Sequence, residues 1–424
     1  MPQPARLVRE TLLLCILFAC VCFPLIWSKK ECNYSQDESS FHLPAIRQIA
    51  AHWPSLDIAN DSLSATAPGY HYFLATVSMV TGQNLIVLRL INWFVSTLTL
   101  IVLFVHVRHH LSGLDAMLVL LPLAFSNFFV KSASWIVTDN AALLLTTLCI
   151  LSCLRKHTHT WQDGGKSLLI SLSVFVRQMT IWLVALPLVS AYASPTLERN
   201  RRTIHAFLWS AFPLTVLAFL IFRWAGLVPP AWREAAFFFS LTGPIYLLSV
   251  FSIFSFFYLP RCADNESRYS TKTRLLVMAA SVGLVLSFIQ PTLNEHGSGH
   301  WGGYLWNLSN YFPDLAGRNM LFIILCTFGT VAVARTWQSL KIRGNNQAAI
   351  VFIGGIIAWA ATFLVNRQVF HRYFEPTILV FFISLVPALL PNASDLRRWR
   401  IGLALCGTAQ LGITLATAHL AVWR

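Results

Sequence analysis

Residues 85–107 read LIVLRLINWFVSTLTLIVLFVHV, an apolar run in which Arg89 is the only Asp, Glu, Lys or Arg. As a helix rising 1.5 Å per residue it is about 35 Å long, enough to cross a hydrocarbon core roughly 30 Å thick. Backbone N–H and C=O groups find no water there, so a run of this kind has to be a helix, which pairs all of them within its own segment. Comparable runs lie on both sides of it. Residues 11–27 precede it. After it come 114–130, 138–154, a tight pair at 167–176 and 179–193, then 204–224, 236–260, 275–293, 318–334, 348–365, 373–390 and 401–422. Together they predict an all-α, polytopic integral membrane protein with about 13 transmembrane helices. The first member of the tight pair is short enough to be half of a bent or re-entrant helix.

Composition points the same way. The 424 residues are 56% hydrophobic and 11% charged, with a mean hydropathy of +0.61, whereas soluble domains carry about a quarter charged residues. A water-soluble globular protein is thereby excluded. The net charge of +14 sits in short clusters between apolar runs, the pattern that orients a multi-pass protein rather than a stripe for nucleic acid. With a cytoplasmic N-terminus, most basic residues fall in the inside connections, among them Arg6, Arg9, Arg108, Arg155, Arg343 and Arg400, while most of the 17 acids fall outside. The run after Arg6 and Arg9 lacks a small-residue cleavage site, which favours an uncleaved first helix over a signal peptide. Cys15, Cys20, Cys22, Cys149, Cys153, Cys326 and Cys406 lie inside apolar runs without ligand spacing, so neither a disulfide framework nor a zinc site is expected. No repeat or appended soluble segment is visible, and residues 1–424 read as a single membrane domain.

Two long outer stretches, 28–84 and 294–317, interrupt the spans. In the first, Leu43, Ile46, Ile49 and Ala50 recur with a helical period that suits a helix lying along the interface. Pro68-Gly69-Tyr70 then restarts the chain into a second apolar helix too short to span.

Four constellations carry chemistry. Asp37-Glu38-Ser39-Ser40-Phe41-His42 places adjacent carboxylates at a helix start, where one of them is suited to take a proton from an attacking hydroxyl; Asp37 or Ser39 is equally suited to plain N-capping. Arg177-Gln178, between the runs of the tight pair, offers a guanidinium at the membrane boundary for a phosphate, or a side chain snorkelling to headgroups. Asn366-Arg367-Gln368-Val369-Phe370-His371-Arg372-Tyr373 supplies a second cationic cluster in which His371 is placed to donate to a departing phosphate, against the reading of these residues as interface anchors. Glu295-His296-Gly297-Ser298-Gly299-His300-Trp301 is a Gly-rich outer loop suited to a lid or a sugar-stacking surface; His296 and His300 alone form an incomplete metal-ligand set.

These residues, in this order, resemble the GT-C glycosyltransferases, which use polyprenyl- or dolichyl-phosphate sugars. More narrowly, Asp37-Glu38-Ser39-Ser40-Phe41-His42-Leu43-Pro44 is similar, with one extra residue before the His, to the Asp-Glu-x-x-His-x-Pro signature of the alpha-1,2-glucosyltransferases that add the last glucose to the dolichol-linked oligosaccharide. Ala65-Thr66-Ala67-Pro68-Gly69-Tyr70 resembles their Thr-Thr-Pro-Pro-Gly-Leu-Tyr segment, and Val176-Arg177-Gln178-Met179-Thr180-Ile181-Trp182 their Arg-Gln-Thr-Asn-Ile-x-Trp. The match covers chiefly the first half, to about Ala193; beyond it His300 and His371-Arg372-Tyr373 are partial echoes, and a charged Gly-Asp-Lys stretch of that family is missing.

The resemblance implies Asp37 as general base with Glu38 as the alternative, Arg177, Gln178, Arg372 and His371 at the donor phosphate, and His42, Tyr70, His300 and Trp301 against the substrate. It divides the chain into a catalytic outer loop (28–84), donor-handling helices (85–193) and a less characteristic remainder (194–424). The implied activity is inverting transfer of a hexose, glucose by resemblance, from a lipid-phosphate carrier to a hydroxyl of a glycan or lipid-linked glycan. It would run on the periplasmic or luminal face of a bacterial inner or endoplasmic reticulum membrane, without metal or other cofactor. The alternative is a polytopic transporter or lipid flippase, which would ordinarily carry its ionisable residues near the midplane and show repeated halves.

Overall fold

The structure, a computed structural model, describes residues 4–28, 33–53, 57, 64–155, 161–193, 196–235, 239–259, 269–292, 302–366, 368–390 and 396–423. Helix α1 (Pro4–Ile26) leads into an outer stretch holding α2 (Asn33–Asp37), a π-helical turn at Glu38–His42, α3 (Leu43–His52) and α4 (Gly69–Thr81). Then come α5 (Leu85–Arg108), α6 (Gly113–Ala124), α7 (Asn127–Ser134), α8 (Asp139–Leu154) and α9 (Trp161–Val176). A 3₁₀ segment, Gln178–Val184, opens into α10 (Ala185–Tyr192), followed by α11 (Thr196–Trp224), α12 (Thr242–Tyr258) and α13 (Tyr269–Ile289). The second outer stretch carries α14 (Tyr304–Ser309) and a small hairpin, β1 (Asp314–Leu315) antiparallel to β2 (Arg318–Asn319). The chain ends with α15 (Met320–Ile342), α16 (Asn346–Thr362), α17 (Glu375–Leu385), α18 (Leu396–Thr414) and α19 (Leu420–Trp423).

The architecture is all-α with several helices fit to cross a membrane. Among the described residues six are long and apolar enough, and a seventh if α6 and α7, bent by 73°, count as one span. Four more apolar helices, at Asp139–Leu154, Gln178–Tyr192, Thr242–Tyr258 and Thr273–Ile289, are shorter. The straight helix expected over 114–130 is therefore broken. Ser126 marks the break: it caps a new helix by accepting the Phe129 N–H, while its hydroxyl is drawn to Glu375 at 2.5 Å. The break expected within the tight pair falls at Arg177, whose extended backbone (φ −154°, ψ 106°) separates α9 from the 3₁₀ segment.

Helix α5 defines the two ends of the bundle. Arg89 and Arg108 stand 19 residues apart on it, about 28 Å along the axis. At the Arg108 end, Arg108 Nε meets Glu10 of α1 at 2.6 Å, and Arg400 of α18 meets Asp115 of α6 at 2.5 Å. At the Arg89 end gathers the first outer stretch. Arg89, Asn92 and Ser96 form a stripe at helical spacing that ties this end together. The Asn92 amide accepts the Tyr70 hydroxyl at 2.9 Å and donates to the Trp135 carbonyl at 2.7 Å. Ser96 Oγ accepts from Asn140 at 2.7 Å. In an apolar surrounding such groups hold only when partnered.

The amphipathic period in the first outer stretch produces α3, whose Leu43, Ile46 and Ile49 are buried in one cluster with Tyr70 and Leu74 of α4. Helix α4 starts at Pro68-Gly69 because a Cβ on Gly69 would lie 2.6 Å from the Phe175 carbonyl oxygen, so only glycine lets it cross the end of α9. Phe207 and Phe222 of α11 and Met278 and Val285 of α13 are exposed, faces suited to lipid rather than water.

Candidate functional site

Consecutive residues on a helix point about 100° apart, and at the α2 boundary the two acids meet different surroundings. Glu38 turns into the protein. Its oxygens receive Arg89 Nη2 at 2.5 Å and Arg89 Nε at 3.0 Å and the Ile136 N–H at 2.8 Å, and the residue is 3% exposed. Arg89 also donates to the carbonyls of Ile26 and Ser28, fastening the start of the outer stretch to the end of α1. Asp37 turns the other way, into a chamber of about 970 Å³, where its Oδ2 lies 2.5 Å from Arg372 Nη1.

Arg372 sits in a 3₁₀ turn, His371–Tyr373, just ahead of α17. Its guanidinium is caged by the rings of Phe370, Tyr34 and Tyr373, whose centroids are 5.2, 5.4 and 5.4 Å away. Its Nε is buried and has no hydrogen-bond partner among the described residues. Arg177 also packs against Tyr373, 4.4 Å from that ring, and is paired with Asp139, the first residue of α8. Two guanidinium groups thus share one aromatic neighbour, each balanced by a carboxylate, as buried cations require.

Asp139, Arg177, Arg372 and Tyr373 line both the chamber and a narrower groove of about 180 Å³ beside it. The groove is walled by apolar side chains, including Leu143, Ile181, Leu217 of α11, Trp359 and Phe363. The chamber is the more polar of the two: Tyr34, His42, Asn127, Lys131 and Tyr304 contribute to its walls. Phe41 and Trp232, in edge contact at 5.1 Å, also line it.

Of the residues singled out in the sequence, Asp37, Arg372, Arg177 and His42 come together in the chamber wall, and four others lie elsewhere. Glu38 is committed to Arg89. Gln178 is a staple: its Oε1 accepts the Ala67 N–H and its Nε2 donates to the Ala65 carbonyl, both at 2.9 Å, so its amide is spent on the backbone rather than left for a phosphate. Tyr70 is buried against Asn92.

His371 is fully buried behind the wall, bonded to the Tyr246 hydroxyl at 2.7 Å and Glu375 at 2.9 Å. Its backbone N–H holds the Gly302 carbonyl at 2.7 Å, and a Cβ on Gly303 (φ +115°) would come within 2.4 Å of its own Cβ. His371 therefore anchors the second outer stretch at Gly302-Gly303, just ahead of α14. Glu295, His296, His300, Trp301 and Arg367 lie outside the described residues.

Asp139, Tyr34 and Lys131 were not singled out in the sequence, and Tyr373 was named there only as the end of the second cationic cluster. Asp139 had a signal, an acid opening an apolar run after Thr138, but acids are common in a first helical turn. Asn307, which heads an Asn-x-Ser triplet, is half-buried and lines the chamber. Comparison with known protein families, curated proteins and solved structures finds nothing that matches this chain.

Proposed function

We propose that the protein is a membrane-embedded glycosyltransferase of the GT-C kind, moving a hexose from a polyprenyl- or dolichyl-phosphate carrier to a hydroxyl of a glycan or lipid-linked glycan. One observation carries this reading: Asp37 and the Arg372–Tyr373–Arg177 cluster line one chamber, which adjoins an apolar groove reaching α11. A carrier lipid has the matching order of parts, a sugar, a phosphate and a hydrocarbon tail. The tail would lie in the groove, the phosphate against the arginines and the sugar in the chamber.

In the reaction the acceptor oxygen attacks the anomeric carbon from the side opposite the phosphate. The new carbon–oxygen bond forms as the bond to the phosphate oxygen breaks, the acceptor's proton passes to Asp37, and the electron pair leaves with the phosphate. Configuration inverts in such a direct displacement. Arg372 and Arg177 stabilise the charge that grows on the leaving phosphate. As Arg372 turns to the phosphate, Asp37 Oδ2 is released from its ion pair and becomes free to accept the hydroxyl proton.

The reading includes about 13 passes through the membrane: the six long helices, the bent α6–α7 pair, the four shorter apolar helices, and α9 and α17. It puts the chamber on the non-cytoplasmic face, since the basic connections around Arg108 and Arg400 lie at the opposite end. The C-terminus then lies opposite the N-terminus, and a reporter fused after Val422 should signal from outside; a cytoplasmic signal contradicts the count.

The deciding assay offers the purified protein a panel of polyprenyl-phosphate hexoses with glycan acceptors. Transfer is expected from one or more of them. Asp37→Asn is expected to lose it by roughly a hundred- to ten-thousandfold, with the protein still folded in detergent. Arg177→Ala is expected to weaken donor binding. Full transfer by Asp37→Asn refutes the assignment of the base, and failure of the wild type with every donor refutes the function.

A further inference from the structure

At about 970 Å³ the chamber is near the top of the range, roughly 300–1,000 Å³, that holds a drug-sized ligand, and a single hexose ring fills only part of it. Its lining divides in two. Asp139, Arg177, Arg372 and Tyr373 also line the groove, whereas Asp37, Asn127, Phe128, Tyr304 and Asn307 line the chamber alone.

Four residues of the second set come from α7 and α14, and buried contacts hold them together. The Phe128 ring stacks on the His371 ring with centroids 5.0 Å apart, and Tyr304 packs against both, 5.5 Å from Phe128 and 4.1 Å from His371. The Tyr304 hydroxyl is spent on Glu375, so Tyr304 and Phe128 offer the chamber aromatic carbon. A carboxamide stands beside each ring: Asn127 precedes Phe128 at the start of α7, and Asn307 follows Tyr304 by one turn on α14. One half of the Asn127 amide is taken by the Thr417 hydroxyl at 2.7 Å, and the other half makes no hydrogen bond among the described residues, although the residue is buried. The Asn307 side chain makes none among the described residues either.

Aromatic carbon with carboxamides at its edge is chemistry that recognises a sugar. The C–H groups of the sugar pack on the rings, and an amide, both donor and acceptor, pairs with hydroxyls of either polarity. The direction of attack then says which sugar. In an inverting displacement the acceptor oxygen approaches from the side away from the leaving phosphate. The phosphate is assigned to the arginines, where chamber and groove meet. The acceptor therefore comes from the part of the chamber that the groove does not share, which is also the part that holds Asp37.

We propose that Asn127, Phe128, Tyr304 and Asn307 form a subsite for a saccharide acceptor. The sugar ring that bears the attacking hydroxyl lies against Phe128 and Tyr304, and its other hydroxyls bond to the two amides. Glu375 touches no substrate and positions Tyr304. The acceptor is thus a sugar rather than a simple lipid alcohol, and the two substrates enter the chamber from different walls.

This inference rests on the glycosyltransferase reading, and separate measurements of donor and acceptor tell the two apart. The full-length protein in detergent is given the polyprenyl-phosphate hexose that it uses best. The acceptors are methyl hexosides of gluco, galacto and manno configuration, with n-propanol as a sugar-free alcohol. Donor affinity is titrated without acceptor. Transfer is expected to a hexoside and not to propanol. Asn307→Ala should raise the acceptor KM by about three- to tenfold, the worth of one hydrogen bond, with donor affinity unchanged. Asn127→Ala and Tyr304→Leu should raise it too; if loss of the Thr417 contact unfolds Asn127→Ala, the other two variants carry the test.

An unchanged acceptor KM in Asn307→Ala and Tyr304→Leu overturns the proposal. So does a matching loss of donor affinity, which puts these residues against the carrier instead. Equal use of propanol and hexosides, or a bound donor with no hexoside accepted, also overturns it and leaves Asp37 and the arginines standing. A wild type that neither binds nor uses any donor overturns this proposal and the glycosyltransferase reading together.

Discussion

Asp37 and Arg372 are 335 positions apart in the chain and share a hydrogen bond of 2.5 Å. Nothing in the local pattern around either residue announces that contact. The acidic pair at 37 and 38 was legible as an unusual feature, but a string of letters does not tell which carboxylate turns inward. That is decided by Arg89, which takes Glu38 and leaves Asp37 to the chamber. The buried histidines lead to a prediction at the same scale. In the unfolded chain His42 and His71 take up protons near pH 6.5, whereas in the folded protein burial holds His42 neutral down to about 3 and His71 neutral well below 6.5. Stability from neutral burial is thus fully present above about pH 6.5 and is lost as pH falls from there toward 3, because the unfolded state binds the extra protons. The slope is up to about 1.4 kcal/mol per pH unit for each histidine. Thermal unfolding in detergent between pH 7 and 4 should show a steeper fall in Tm for wild type than for His42→Phe/His71→Phe; parallel profiles would show that the two rings do not contribute.

Helix α5 was legible in full, because its apolar run is continuous and its single fixed charge stands near one end. What the run did not disclose is the use of its polar stripe, since the partners of Arg89, Asn92 and Ser96 lie on α1, the first outer stretch and the α7–α8 corner. The broken elements were legible only as apolar runs. Ser126 interrupts 114–130 partly because Glu375, 249 positions on, is there to receive its hydroxyl. Arg177 breaks the tight pair where Asp139 and Tyr373 hold its guanidinium. The Glu38–Arg89 pair is the clearest test of how these elements are fastened. Removing one partner strands a charge in a buried site, and Glu38→Gln and Arg89→Met are each expected to lose roughly 3–5 kcal/mol. Glu38→Gln combined with Arg89→Met keeps an acceptor for the Ile136 N–H and leaves no unpaired charge, so it should recover part of the loss. Unfolding of each variant in denaturant measures the coupling; additive losses in the combined variant would mean that the ion pair is not the fastening.

At the scale of the whole molecule the two ends of the bundle are chemically unlike. One end collects the Glu10–Arg108 and Asp115–Arg400 pairs, and the other holds the chamber with its apolar groove. That division follows from the positions of the charges along the apolar runs, which is why charge asymmetry alone could assign the outer stretches to one side. The groove could not be read that way, because its walls come from α8, the Gln178–Val184 segment, α11, α16 and α17, and each wall residue looks like any other lipid-facing or core side chain in the sequence. If the groove receives a carrier's tail, affinity depends on tail length up to the length that the groove accommodates. Lipid or detergent is as apolar as Leu217 or Trp359, so the gain comes from close packing rather than from escape from water, and it is modest. Thr362 lines the groove and is half-buried, and Thr362→Trp would fill much of its space. The variant is expected to bind a long polyprenyl phosphate about tenfold or less below wild type, while its affinity for a short, water-soluble isoprenyl phosphate, held by Arg177 and Arg372 alone, stays unchanged. Parallel titrations with the two lipids decide the matter: an equal loss for both would place the damage at the phosphate site, and no loss for either would mean that the tail lies somewhere else.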